Sequence, residues 1–110
     1  VHVPNAESVT RRLGVLMGII DSVEHISEKE KDYYGHKRVY TINSLVKDTI
    51  WAGLKVIETG GVLYKPLPND MLLKICKEKG DEWTKKFLQA LCKLGEDRQT
   101  ECADIYVVCK

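Results

Sequence analysis

No stretch of the chain approaches the roughly 18 consecutive apolar residues that an α-helix needs to cross a bilayer. The longest apolar run, 13–20, reads LGVLMGII and is broken by two glycines. A membrane-spanning helix is therefore not expected. The chain also lacks an excess of either charge, with 17 Lys+Arg against 16 Asp+Glu and a formal net charge of +1. That balance argues against a dedicated nucleic-acid binder or a polybasic membrane binder, both of which need a basic excess. The opening VHVPNAESVTRR has no basic segment followed by an apolar one and a small-residue cleavage site. A leader already removed would leave no trace, so the compartment has to be argued from the cysteines.

Chemical motifs are equally scarce. His2, His25 and His36 form neither HExxH nor a pair three or four residues apart. Successive gaps from Cys76 to Cys92, Cys102 and Cys109 are 16, 10 and 7 residues, unlike the CxxC spacing of a zinc site. No metal and no cofactor are expected. GxSxG, the P-loop and GxGxxG are absent as well. Glu28, Glu30, Asp32, Glu78, Asp81 and Glu82 lie in charged stretches, where solvent keeps a carboxylate from being tuned for acid–base work. The expectation is a protein that is not an enzyme.

What is present is helical periodicity. The 110 residues, 44% hydrophobic and 30% charged, suit one globular domain, 1–110. Val9, Leu13, Leu16, Ile20 and Val23 fall on one face and predict a first helix from Ala6 to His25, capped by Asn5 or Ser8. Ser27 and Glu30 have capping-box spacing and predict a short charged helix ending near Gly35. Ile42, Leu45, Val46, Ile50, Leu54 and Ile57 predict a helix over Thr41–Glu58, stopped by Thr59-Gly60-Gly61. Pro66 and Pro68 make 62–68 an extended connector.

Asn69 or Asp70 caps the next helix, which runs to Lys79, and Gly80 ends it. Asp81 caps a helix over Glu82–Leu94, closed by Gly95, and the missing linker makes the two an angled or antiparallel hairpin. Asp97–Lys110 suits a final helix, although the β-branched and aromatic run Ile105–Val108 also suits a strand. The whole reads as an all-α, compact bundle of five or six helices with short loops.

The cysteines have two readings. Cys76, Cys92 and Cys102 occupy apolar-stripe positions and fit buried, reduced thiols in a cytoplasmic protein. All four, Cys76, Cys92, Cys102 and Cys109, are also disulfide candidates in a secreted protein, which could pair Cys76 with Cys92 or Cys92 with Cys102. Charge has two readings too. Arg11-Arg12 and His36-Lys37-Arg38 are basic clusters, and Glu28-Glu30-Asp32 and Asp81-Glu82 acidic ones. They are either solvated faces, with acids favoured at helix starts, or opposed patches through which copies of the domain associate.

The phrase 71–80, MLLKICKEKG, followed by Asp81-Glu82-Trp83 and Phe87-Leu88-Gln89-Ala90-Leu91, resembles the caspase recruitment domain of the death-fold superfamily. Thr41-Ile42-Asn43-Ser44-Leu45 resembles a phrase of inflammatory caspase prodomains. The resemblance implies a six-helix bundle that acts as an adaptor, binding a protein partner of the same fold or a second copy through charged patches. On this reading Arg11, Arg12, Lys37 and Arg38 are candidates for the basic patch, and Glu28, Glu30, Asp81 and Glu82 for the acidic one. These positions come from charge clustering in this chain, not from a matched family motif. The rival is a small secreted helical protein with disulfides, such as a cytokine-like ligand, a toxin subunit or a carrier of an apolar ligand.

Overall fold

The structure is a computed structural model and describes residues 1–23 and 38–110. The charged helix expected over 27–35 lies outside the described residues, as do Glu28, Glu30 and Lys37. In chain order the elements are β1 (His2–Pro4), α1 (Val9–Leu16), α2 (Ile42–Trp51), β2 (Val56–Val62), α3 (Asn69–Lys79) and α4 (Asp81–Glu96). A 3-10 turn (Gln99–Glu101) and β3 (Asp104–Cys109) complete them. The all-α expectation is thus overturned. Among the described residues, four α-helices accompany an antiparallel sheet of order β1-β3-β2, an α/β mix rather than an all-α bundle.

β3 decides the architecture. Its β-branched and aromatic residues alternate, so Ile105 and Val107 point to one face and are buried, while Val108 on the other face is exposed. Both of its edges are used. Ile105 pairs with Val3 on one side and Gly61 on the other. Ile105, Val107 and Leu45 of α2 form the buried core, with Val3, Tyr40, Ile42, Val46, Val56 and Cys109 packed around it.

α2 begins where its sequence signal lies. The Thr41 hydroxyl accepts from Ser44 N at 3.0 Å, and the Ser44 hydroxyl accepts from Thr41 N at 2.9 Å. This reciprocal cap satisfies two backbone donors left over at the helix start. Thr41→Ala is expected to cost about 1 kcal/mol, lowering the thermal midpoint by roughly 4–8 °C in a calorimetric scan.

The helix does not continue to Glu58. It ends at Ala52, and Gly53 turns the chain with φ +87°, a left-handed conformation that other residues adopt at a cost. Val56–Val62 then runs back as β2, and the glycines expected to stop a helix lie inside that strand. They are needed there. A Cβ on Gly60 would fall 2.4 Å from the Tyr106 hydroxyl, and one on Gly61 would fall 2.0 Å from the Gln99 carbonyl oxygen. The ring of Tyr106 and the 3-10 turn therefore rest directly on the β2 backbone.

α1 is shorter than its apolar stripe. Ser8 caps it, accepting from Arg11 N at 3.3 Å, and the helix ends at Met17, before Gly18 at φ +75°. The two low-propensity glycines, Gly14 and Gly18, favour this early stop. Asn5, the other expected cap, has a different task. Only 1% exposed, it donates from Nδ2 to the carbonyls of Thr100 at 2.8 Å and Cys102 at 2.7 Å. Its Oδ1 accepts from Glu7 N at 3.0 Å, and its own N–H donates to Ala103 O at 3.0 Å. One side chain thus fastens the end of β1 to the turn that precedes β3.

α3 and α4 form the expected hairpin about Gly80, which has φ +88°. The N-cap of α3 is Pro68 and that of α4 is Gly80, so Asp70, Asp81 and Glu82 are first-turn acids rather than caps. The Thr84 hydroxyl sits between the Gly80 and Cys76 carbonyls, at 2.7 and 3.2 Å. Gly95 does not close α4 but is buried within it, where a Cβ would lie 3.2 Å from Tyr64 Cβ and 3.4 Å from Cys102 Sγ. The connector lays Tyr64 against α4 at this point.

Candidate functional site

The described residues of the charge clusters lie on separate elements. Arg11, half-buried on α1, donates from Nη1 to Val23 O at 3.1 Å. Arg12 forms an ion pair with Glu101 at 3.3 Å. Arg38 pairs with Asp48 at 3.0 Å, and its guanidinium lies 4.3 Å from the centre of the Tyr40 ring. Asp81 and Glu82 are exposed in the first turn of α4, beside the positive end of its helix dipole. Arg12 and Arg38 thus each meet a carboxylate of this chain. Exposed ion pairs of this kind contribute about 0–1 kcal/mol. Arg12→Glu is accordingly expected to change the urea unfolding midpoint little, by an amount equivalent to less than about 1 kcal/mol.

The apolar residues behave in the opposite way. Sequence periodicity places Ile50, Leu54 and Ile57 on a buried helix face, with Trp51 broadening it. All four are exposed, Trp51 at 90%, Ile50 at 58%, Ile57 at 57% and Leu54 at 42%. The break at Gly53 explains the inversion. The inward face of α2 is already filled by Leu45 and Thr49, and Leu54 falls in the turn rather than in a further helical turn. An irregularity between Val56 and Glu58 sets Ile57 out of step with β3, and the neighbouring Val108 is exposed at 43%. The end of α2, the turn and the start of β2 therefore each leave apolar side chains exposed: Ile50 and Trp51 on the helix, Leu54 in the turn and Ile57 on the strand.

This segment could have been suspected from Gly53 alone, since a glycine inside a helical pattern weakens it by about 1 kcal/mol against alanine. A second group of exposed apolar residues, Met71, Leu73, Trp83, Leu88 and Leu94, lies on the α3–α4 hairpin. There Trp83 and Phe87 stack on each other, with ring centroids 4.9 Å apart.

A depression lined by Glu7, Arg12, Val23, Thr100 and Glu101 is open and is crossed by the Arg12–Glu101 pair. His2 and Asp104 meet at 3.3 Å on the exposed side of the sheet. Among the described residues, no three His, Cys, Asp or Glu side chains converge in a way that could hold a metal ion. No helix among them is long and apolar enough to cross a membrane.

All four cysteines are free thiols. Cys102 is buried and Cys109 half-buried against the core cluster. Burial pushes the Cys102 thiol above its ordinary pKa, helped by the nearby Glu101 carboxylate and by Cys92. The folded state keeps this proton longer than the unfolded chain does. Stability is therefore expected to fall as pH rises past the ordinary thiol range of about 8.5–9, and Cys102→Ala is expected to flatten that alkaline limb in pH-dependent urea titrations. The suggested Cys76–Cys92 pair is not brought together. Cys76 lies beside Thr84 across the hairpin, and Cys92 is two helical turns further on, about 12 Å along α4.

In comparison with known proteins, no family model matches the chain and no curated protein matches it. The six-helix architecture implied by the resemblance to a caspase recruitment domain is not the fold of this chain.

Proposed function

We propose that the chain is a non-catalytic protein–protein interaction domain, and that its principal contact surface is the exposed segment Ile50, Trp51, Leu54 and Ile57. The observation that carries this reading is the 90% exposure of Trp51 at the end of α2, in a stretch whose Ile50, Leu54 and Ile57 are exposed as well. Clustered exposed apolar side chains mark binding surfaces, and tryptophan is the residue most enriched among those that dominate binding energy. The charged residues serve a secondary, orienting role. Lys55, within this stretch, exchanges backbone hydrogen bonds with Lys110 at 3.1 and 2.9 Å, so two basic residues belong to this part of the fold. A partner bearing an apolar pocket with acidic margins would fit, and a second copy is the form of the reading tested most directly.

In a Trp83→Phe background the emission of Trp51 reports on that surface alone. Self-association through it is expected to shift the emission to the blue as concentration rises. The same concentrations should give a dimer in sedimentation velocity, and Trp51→Ala should restore the monomer. A chain that stays monomeric at every concentration, with Trp51 emission fixed at its solvent-exposed position, would sink the self-associating form. Arg11, Arg12, Arg38, Asp81 and Glu82 enter this reading only as orienting charges. Their reversal is expected to alter the salt dependence of association more than its strength at high salt.

A further inference from the structure

We propose that Cys92 and Cys102 form a redox pair, in which exposed Cys92 attacks a small disulfide such as oxidised glutathione and buried Cys102 resolves the product into a bond tying α4 to the end of the 3-10 turn that precedes β3. The geometry rests on Gly95. Cys92 lies three residues before Gly95 on α4, and side chains at that spacing are neighbours on one helix face, with Cβ atoms about 5–6 Å apart. The Cys102 sulfur lies 3.4 Å from the point where a Cβ on Gly95 would sit. Because Gly95 has no side chain, the Cys102 sulfur and Tyr64 Cβ can both approach α4 there, 3.4 and 3.2 Å from where a Cβ would sit and one turn from Cys92. The Cys102 thiol is held there by weak contacts only, to the carbonyl oxygens of Arg98 at 3.6 Å and Gly95 at 3.9 Å.

The other cysteines do not compete. Cys76 is separated from Cys92 by about two helical turns, as shown above. Cys109 lies seven residues along an extended chain from Cys102, about 23 Å away, and packs on the side of the sheet that carries α2. Exposure divides the roles. Cys92 is open to a reagent, whereas Cys102 is reached only from within the protein.

The exchange balances in two steps. The Cys92 thiolate bonds to one sulfur of oxidised glutathione and the disulfide of the reagent breaks. The released glutathione takes up the proton that Cys92 gave to solvent. The Cys102 thiolate then attacks the Cys92 sulfur, and the second glutathione leaves and takes up the remaining proton. Two protein thiols are oxidised and one glutathione disulfide is reduced to two thiols. The raised pKa of Cys102 makes the second step the slow one near neutrality. Its rate is expected to rise about tenfold per pH unit until Cys102 itself ionises.

The test treats the native full chain with oxidised glutathione, traps remaining thiols with N-ethylmaleimide and digests with trypsin. The expected product links peptide Phe87–Lys93 to peptide Gln99–Lys110, and the link persists in Cys109→Ser. Cys102→Ser should retain one glutathione on Cys92, and Cys92→Ser should leave Cys102 unmodified while the protein is folded. Circular dichroism confirms that each variant is folded, and if Cys102→Ser is not, wild type and Cys109→Ser decide the matter. The proposal is overturned if glutathione stays on Cys92 in the wild type, if Cys109→Ser abolishes the link, or if the folded chain does not react.

Discussion

Asn5→Leu is expected to lower the stability of the chain by about 3 kcal/mol, moving its urea midpoint down by about 1–2 M. The side chain is almost fully buried and makes three hydrogen bonds, to Thr100 O, Cys102 O and Glu7 N. Each bond contributes about 1 kcal/mol net, and a partner left buried without a bond costs about 1–3 kcal/mol. Leucine removes the bonds and leaves the Cys102 carbonyl in a protected place without its donor.

Asn5→Asp separates this cause from simple loss of packing. It keeps the shape but points a carboxylate oxygen at two carbonyl oxygens. The protonated acid is the form the folded state tolerates, so its pKa rises above the unfolded value of about 3.9. Between those two values the native state binds more protons than the unfolded chain, and stability falls with increasing pH. Asn5→Asp should therefore be closest to wild type below about pH 4 and progressively weaker above it. A pH-independent loss would contradict the assignment of Asn5 as a donor to both carbonyls.

Gly61→Ala is the second large effect, expected at about 3 kcal/mol or more. Overpacking ordinarily costs about 1–3 kcal/mol, but here the new methyl meets backbone rather than a yielding side chain. It would lie 2.0 Å from the Gln99 carbonyl oxygen and 2.8 Å from its carbon. The 3-10 turn must lift from β2 to admit it. Gly60→Ala is the control, because its obstruction is the Tyr106 ring, which can swing away, so it should cost less. The same turn carries the Thr100 carbonyl that Asn5 holds. Once Gly61→Ala has displaced the turn, Asn5→Leu has less left to lose. The double variant is expected to fall short of the sum of the two by about 1 kcal/mol, within the range measured for residues that share a structural partner.

Features with local causes were legible in the sequence. The Ser8 cap, the start of α2 at Thr41, the Gly80 junction and the α3–α4 hairpin each depend on residues within a few positions of one another. The sheet was not legible, because its evidence is distributed. Val56 and Ile57 continue the helical spacing of α2, and only Gly53 argues against it. The run Ile105–Val108 fits either period, and pairing with strands some 100 and 45 residues earlier settles it. Asn5 satisfies the rule for a helix cap, yet the acceptors that claim its side chain lie 95 and 97 residues away. The candidate surface is hidden in the sequence for the same reason. Helical spacing carried through Gly53 puts Ile50, Trp51, Leu54 and Ile57 on a core face, whereas the helix ends before Leu54. The charge clusters were correct as sequence facts, but Arg12 finds its partner 89 residues downstream.

The central strand of the sheet is also the latest in chain order, and this bears on how the molecule is made. Among the described residues β1 and β2 are not neighbours in the sheet, and each forms its ladder with β3. During synthesis neither can form its ladder until Asp104–Cys109 has left the ribosome. Until then Val3, Val56 and the inner face of α2 have no sheet to cover them. Helices α3 and α4 close locally and can form early, whereas the β1–β3 pairing must close a loop of about 100 residues, which slows folding. The apolar strands thus stay unpaired until β3 has been made, the interval in which a chaperone or a wrong strand would find them.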